Sequence, residues 1–289
     1  MPHSPPIHSA GSAILPAPNI QPVPPRTARR RSVRHDAAER RLLTRRLRQA
    51  LAAGDLLLHY QPRVALVSGR VRGAEALVRL RHHRLGLLSP LDFMPGAEQG
   101  CIIPEIGDWL LDEACAEAAA WPEPACVAVP LAQRQVQHRK FIQHFLERLG
   151  RTGIATERLE CTLTETMVTD PNPNMEFSLK ALQGLGVRLT LANFSAADAS
   201  LPALRRLRLT TLRLDRSLTQ SLDNGPASHA IVRDTIKAGH DLGCSVLADG
   251  VDTKRQFSQL LKLGCDEGQG NYFSPPLGAA QITAQFTQS

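Results

Sequence analysis

The sequence predicts an α/β protein that folds as a closed, TIM-like (β/α)8 barrel. Short apolar runs alternate with longer segments whose apolar residues recur at helical spacing, which is typical of βα units around a parallel sheet. Eight such runs follow one another in a segment of about 250 residues, the usual size of this barrel. A doubly wound open sheet is the alternative, but no Gly-x-Gly-x-x-Gly motif follows the first run.

Each element is predicted from the period of its apolar residues. The predicted strands are Leu56–Arg63, Gly73–Val78, Val127–Leu131, Leu159–Thr164, Arg188–Ala192, Thr211–Leu214, Ser245–Ala248 and Gly268–Phe273. An amphipathic helix over Asp36–Ala53 precedes them, and the later predicted helices are Gly107–Trp121, Gln135–Leu149, Met175–Leu185, Ser228–Leu242 and Thr253–Leu263.

The positive charge belongs to the N-terminal part of the chain. Residues 1–35 are proline-rich and then basic, which predicts a disordered tail before a barrel domain at 36–289. Residues 26–48 hold ten arginines against Asp36 and Glu39, a net +8, whereas the whole chain carries +7. The remaining residues therefore sum to −1, which argues against a nucleic-acid-binding domain. A weak electrostatic arm for anionic partners is left open.

Two features predict a cytoplasmic protein. No apolar run approaches the roughly 20 residues of a membrane helix, and the apolar stretch Ala13–Leu15 lacks a preceding basic segment and runs into Pro16. The six cysteines contain no Cys-x-x-Cys pair and are predicted to be reduced and buried.

Polar residues fall where several predicted strands end, at the mouth expected to carry the site of a (β/α)8 barrel. Carboxylates that converge on one mouth need a cation or a shared proton to offset their repulsion. The sequence therefore predicts a divalent-metal or phosphate-related site, with helix capping or solvated side chains as the alternative. The strand-end residues are Glu75, Pro130, Glu165, Ala192, Asn193, Asp215, Asp249 and Gln269.

Successive motifs, in order and at sensible intervals, resemble one known family. Gly73–Arg79 reads Gly-Ala-Glu-Ala-Leu-Val-Arg, and it is flanked by His59-Tyr60-Gln61-Pro62 and Gly86-Leu87-Leu88-Ser89-Pro90. The later motifs are Thr164-Glu165, Leu214-Asp215-Arg216, Ala248-Asp249-Gly250-Val251-Asp252 and Gly268-Gln269-Gly270. On these motifs the chain is identified as a member of the EAL domain family, metal-dependent phosphodiesterases that open cyclic di-GMP.

The resemblance implies a metal centre of which only part is retained. Glu75 and Glu165 match two of the family's carboxylate ligands, and Asn193 and Asp215 complete the residual metal set. Ligand positions are lost at Pro130 and Ala192, since neither side chain has an oxygen. In the catalytic positions, Arg213 replaces a lysine, and Asp249 replaces a glutamate assigned as general base. Because Asp249 is one methylene shorter and arginine is a poor substitute for a compact ammonium, neither is expected to function in catalysis.

The resemblance places the ligand-binding positions at Gln61, Glu75, Leu77, Arg79, Asp252 and Gln269. The leading hypothesis is a catalytically degenerate receptor that binds cyclic di-GMP, needs no cofactor and acts through a protein partner. One alternative is a ligand-independent interaction protein, for instance a regulator of a flagellar transcription factor. Another is a weakly active phosphodiesterase, which alone would need Mg²⁺ or Mn²⁺. A homodimer is left open because the loop 192–201 departs from the family pattern.

Overall fold

The computed structural model describes residues 37–93, 102–194 and 204–287. The predicted tail, residues 1–35, lies outside the described residues, and so does 195–201 of the altered loop. Within the described ranges, no helix has both the length and the apolar character needed to cross a membrane.

Nine strands and ten α-helices lie wholly within the described residues. The strands are β1 (Leu56–Ala65), β2 (Val71–His82), β3 (Gly86–Leu88), β4 (Cys126–Pro130), β5 (Leu159–Leu163), β6 (Arg188–Phe194), β7 (Thr211–Leu214), β8 (Ser245–Asp249) and β9 (Glu267–Gln269). The helices are α1 (Ala37–Ala53), α2 (Ile103–Ala119), α3 (Gln133–Val136), α4 (Phe141–Thr152), α5 (Glu165–Val168), α6 (Pro173–Gly184), α7 (Arg216–Ser221), α8 (Pro226–Asp241), α9 (Lys254–Lys262) and α10 (Ala279–Thr287).

Eight of the strands close into the predicted barrel. The pairing runs β1-β9-β8-β7-β6-β5-β4-β2, and β1 also pairs with β2, while β3 pairs with β2 at the end of the sheet. The neighbours from β2 through β4 to β9 are parallel. The parallel sheet predicted from the sequence has one exception, because β1 is antiparallel to both of its neighbours, β2 and β9. The connection between β1 and β2, residues 66–70, is too short for a crossover helix.

Two other element boundaries differ from the predictions. The single helix predicted over Gln135–Leu149 is divided into α3 and α4 around a turn in which the Phe141 amide donates to the His138 carbonyl. The last predicted strand shortens to β9 because the chain turns at Gly270, where φ is 153°. A Cβ at Gly270 would lie 2.2 Å from the Val251 carbonyl oxygen, so this backbone approach requires glycine.

A buried ion cluster lies at the N-terminal ends of the parallel strands, opposite the mouth. The Arg63 guanidinium pairs with the Glu160 carboxylate and lies 2.9 Å from the Glu267 carboxylate. The hydroxyl of Thr190 donates to Glu160 over 2.6 Å. These partners make the burial of a full charge tolerable. They also fill one end of the barrel with polar groups that belong to its architecture.

Candidate functional site

The strands bring one set of polar side chains together at the mouth. In the β1–β2 pair Gln61 lies opposite Glu75, and in the β8–β9 pair Asp249 lies beside Gln269. Residues directly opposite each other share one face of a sheet. The closed barrel brings these two pairs, with Arg213 of β7, into one hydrogen-bonded cluster.

The centre of this cluster is the guanidinium of Arg213, which bridges two carboxylates. Its Nη1 donates to Oε1 of Glu75 over 2.6 Å, and its Nη2 donates to Oδ2 of Asp249 over 2.7 Å. The side chains of Arg213, Glu75 and Asp249 are 15%, 7% and 24% exposed. A permanent cation therefore lies between two of the carboxylates that the sequence assigned to the site.

The bridge also decides the protonation of Glu75. Burial alone would raise the pKa of this carboxyl, but the charge and hydrogen bond of Arg213 and the amide of Gln269 lower it below its ordinary value. Burial lowers the pKa of Arg213, but the charges of Glu75 and Asp249 outweigh it and raise the pKa overall. The pair is thus ionised across the neutral pH range.

Gln269 ties the bridge to the first strand. Its Nε2 donates to Oε2 of Glu75 over 2.5 Å and to Oε1 of Gln61 over 3.1 Å. The Oε1 atom of Gln269 is buried and has no hydrogen-bond partner among the described residues. A buried acceptor of this kind calls for a donor from water or a ligand.

The other predicted metal ligands lie at the start of a helix or in an exposed position. Asp215 is the N-cap of α7, where its carboxylate accepts from the amide of Ser217 over 2.8 Å. Glu165 is the first residue of α5 and is exposed. Asn193 is exposed and left-handed, with φ of 57°. Within the part of the chain that the structure describes, no three His, Cys, Asp or Glu side chains are grouped as a metal ion would need.

These residues do not fit the divalent ions that the resemblance implies. Hard cations need several oxygen ligands in a fixed arrangement. Here Glu75 and Asp249 are bound to Arg213, Asp215 caps a helix, and Pro130 and Ala192 offer no side-chain oxygen. What the cluster retains is a partly exposed guanidinium, a group that can donate hydrogen bonds to an anion.

Arg79 is the second cation at the mouth. Along β2 it lies on the same face as Glu75 and Leu77, since successive side chains of a strand alternate. Its Nη1 donates to the Val78 carbonyl over 2.8 Å. Among the described residues no carboxylate lies within ion-pair distance of it. Burial lowers the pKa of Arg79, and the charge of Glu75 only partly opposes this. Leu77 lines an adjoining cavity of about 660 Å³.

Asp252 is held by the protein itself. Its Oδ2 lies 2.9 Å from Nη2 of Arg216, and its Oδ1 accepts from Nδ2 of Asn271 over 2.9 Å. This arrangement joins the loops that follow β8 and β9. The predicted ligand-binding role of Asp252 therefore competes with a structural one.

The partners of Arg213, Asp249 and Asp252 were not predicted from the sequence. Arg213 and Asp249 were predicted as site residues without the bridge that joins them, and Asp252 was predicted without its contacts to Arg216 and Asn271. Little in the sequence indicates the bridge. Only the alternation of side chains along β7 and β8 indicates that Arg213 and Asp249 both face inward. The helix cap was visible, because Asp215 directly precedes a helical segment with Ser217 at the position that an N-cap binds.

The Arg213 bridge predicts how stability depends on pH. In the variant Arg213→Met the buried Glu75 loses its counter-charge, so its folded-state pKa rises above its ordinary value of 4.5. The native Glu75 pKa is lowered, so its stabilising contribution is lost only as the pH falls through that lowered value. We expect a deficit of about 3–5 kcal/mol at pH 7 that shrinks as the pH falls towards 4.

Urea unfolding of both proteins at pH 7, 5.5 and 4.5 measures this deficit. The matched control is Arg188→Met, an exposed residue at the start of β6, for which a change within about 0.5 kcal/mol is expected. A deficit that is the same at all three pH values would contradict the ionised bridge.

Comparison with known proteins assigns the family. Residues 44–276 match the EAL domain, and the chain belongs to the EAL domain family. It is 36% identical over 245 residues to an uncharacterised signalling protein of Caulobacter vibrioides, covering 85% of this chain and 30% of the relative. It is 33% identical over 258 residues to MucR of Pseudomonas aeruginosa, a bifunctional diguanylate cyclase/cyclic di-GMP phosphodiesterase, covering 88% of this chain and 38% of MucR. The chain thus spans about a third of the curated relatives it matches.

Solved structures agree with this assignment. The MucR phosphodiesterase in complex with cyclic di-GMP superposes with a TM-score of 0.79 at 33% identity, covering 83% of this chain and 99% of that one. The FimX EAL domain of Pseudomonas aeruginosa bound to cyclic di-GMP superposes with a TM-score of 0.75, covering 81% of this chain and 96% of that one. Its identity is 20%, so it supports the fold alone.

Proposed function

We propose that this chain is a cyclic di-GMP receptor of the EAL family that does not hydrolyse its ligand and signals through a protein partner. The observation that carries the proposal is the Arg213 bridge. It engages Glu75 and Asp249, two residues that a metal-dependent centre would require for ligation and base catalysis. No cofactor is needed for this role, and a cytoplasmic location accords with an intracellular second messenger.

The residues expected to hold the ligand support binding without turnover. Arg79 offers a partly desolvated guanidinium, and such a group forms strong, charge-assisted hydrogen bonds to a phosphate. Gln61 and Gln269 present amides at the same mouth, and the buried Oε1 of Gln269 would accept a hydrogen bond. Together these groups suit a ligand that combines phosphodiesters with hydrogen-bonding bases.

Calorimetric titration of the full chain with cyclic di-GMP tests the proposal. We expect saturable binding at micromolar concentration or tighter, and much weaker binding of GTP, which lacks the closed ring and second base. No measurable binding of cyclic di-GMP would refute the receptor.

The second candidate is a ligand-independent interaction protein. The observation that favours it is that Gln269 already satisfies Gln61 and Glu75 within the protein, so these residues have a structural role without any ligand. A partner that is retained equally well with and without cyclic di-GMP, and equally by Arg79→Ala, would support this candidate instead.

A further inference from the structure

The guanidinium of Arg213 has more hydrogen-bond donors than the two carboxylates consume. Arginine carries five N–H groups in a rigid plane, and the bonds to Glu75 and Asp249 take one from each terminal nitrogen. The side chain retains 15% exposure at the mouth. Donors thus remain for a further acceptor that arrives from the solvent side.

Arg213 offsets one of the two carboxylate charges of the bridged cluster. Arg79 and Arg213 carry two positive charges, and Glu75 and Asp249 carry two negative ones, so these four side chains sum to zero. Without Arg213 they would sum to −1. A cyclic dinucleotide has two phosphodiesters and therefore two negative charges, so it would meet net repulsion if Arg213 were absent.

We propose that Arg213 is a built-in replacement for the metal ions, which binds a phosphodiester of the ligand directly and keeps divalent cations out of the site. The phosphate contact rests on the proposed function, because that function supplies the ligand. The exclusion of ions does not depend on the proposed function. Glu75 and Asp249 hold the guanidinium in a fixed orientation, and a preorganised fork loses little entropy when it binds a phosphate. The same two bonds occupy the carboxylate oxygens that an ion would otherwise take.

A variant that lacks the cation tests what the charge of Arg213 contributes, apart from the rest of the site. In Arg213→Met we expect binding of cyclic di-GMP in EDTA to weaken about 10- to 100-fold, the effect of losing a charged hydrogen-bond donor. We expect Mn²⁺ at millimolar concentration to restore part of that affinity, because Glu75 and Asp249 are released as oxygen ligands. The native chain should bind equally in EDTA and in Mn²⁺.

Two further variants control this experiment. Arg213→Lys keeps the charge but loses the planar fork, so we expect at least about fivefold weaker binding that stays independent of Mn²⁺. Arg188→Met, at the opposite end of the neighbouring strand β6, should bind as the native chain does. If Arg213→Met does not fold, judged by thermal melting, Arg213→Lys still tests the contact.

The outcomes distinguish this inference from the receptor function. Native-like binding by Arg213→Met in EDTA, or by Arg213→Lys, would overturn the phosphate contact while leaving the receptor intact. Direct Mn²⁺ titration without nucleotide tests the exclusion of ions by itself: we expect none bound by the native chain and one bound by Arg213→Met. Mn²⁺ bound equally by both proteins would overturn that part, whether or not cyclic di-GMP binds.

Discussion

Purified chain incubated with cyclic di-GMP and Mn²⁺ is expected to yield at least about 1,000-fold less linear dinucleotide than the MucR phosphodiesterase domain under the same conditions. Metal ions supply several kcal/mol of transition-state stabilisation in phosphoryl chemistry, and each 1.4 kcal/mol is a factor of ten in rate. Arg213 is bound to Glu75 and Asp249, so two of the carboxylates that an ion and an activated water would need are already engaged.

The reaction is sampled over several hours, with and without EDTA, and cyclic and linear nucleotide are separated and quantified in each sample. A variant that restores the family residues, Pro130→Asn, Ala192→Asp, Asn193→Asp, Arg213→Lys and Asp249→Glu, is the informative companion. We expect it to gain Mn²⁺ affinity relative to the native chain. EDTA-sensitive hydrolysis by the native chain would instead support the weakly active phosphodiesterase, with Asn193 in an atypical metal set.

Arg79→Ala is expected to weaken cyclic di-GMP binding by about 10- to 100-fold, since a hydrogen bond to a charged group contributes roughly 1.5–3 kcal/mol. The native guanidinium is partly desolvated, and no carboxylate among the described residues pairs with it, so the free protein has little compensation for its burial. A bound phosphate would supply the missing counter-charge. Calorimetric titration of native and variant chains measures the difference.

Arg72→Ala is the matched control, since Arg72 lies on the same strand but is exposed near its other end. The control should leave the affinity unchanged, and both variants should retain the native melting temperature within a few degrees. Equal affinity in Arg79→Ala and the native chain would mean that Arg79 supports the barrel mouth and does not contact the ligand.

The barrel could be predicted because apolar runs and helical periods recur in a fixed alternation. The antiparallel direction of β1 could not be predicted from its own residues, because the side chains of a strand alternate in the same way in either strand direction. The length of the connection does indicate an antiparallel pair, since the five residues at 66–70 leave no room for a helix. The split of the predicted helix at Gln135–Leu149 could not be predicted from periodicity, which does not report tertiary contacts such as the 2.7 Å hydrogen bond that Gln135 of α3 donates to Asp108.

The candidate site was predicted residue by residue but not in its connections. The sequence showed that arginine stands where the family has lysine, and it indicated a poor catalyst on that ground. It could not show that the longer side chain reaches both Glu75 and Asp249, because that contact joins residues 138 and 36 positions apart. The metal-ligand role of Asp215 stays a prediction from its motif, and the structure adds that its carboxylate accepts from the local amide of Ser217.

Anomalous diffraction at the manganese absorption edge would show whether a guanidinium stands where an ion would be bound. Crystals of the full chain would be grown with cyclic di-GMP and excess Mn²⁺. We expect Arg213 between Glu75 and Asp249, a phosphodiester within hydrogen-bond distance of its guanidinium, and no anomalous peak there. A manganese peak beside Glu75, with Arg213 turned away, would mean that the ion and not the guanidinium occupies the site.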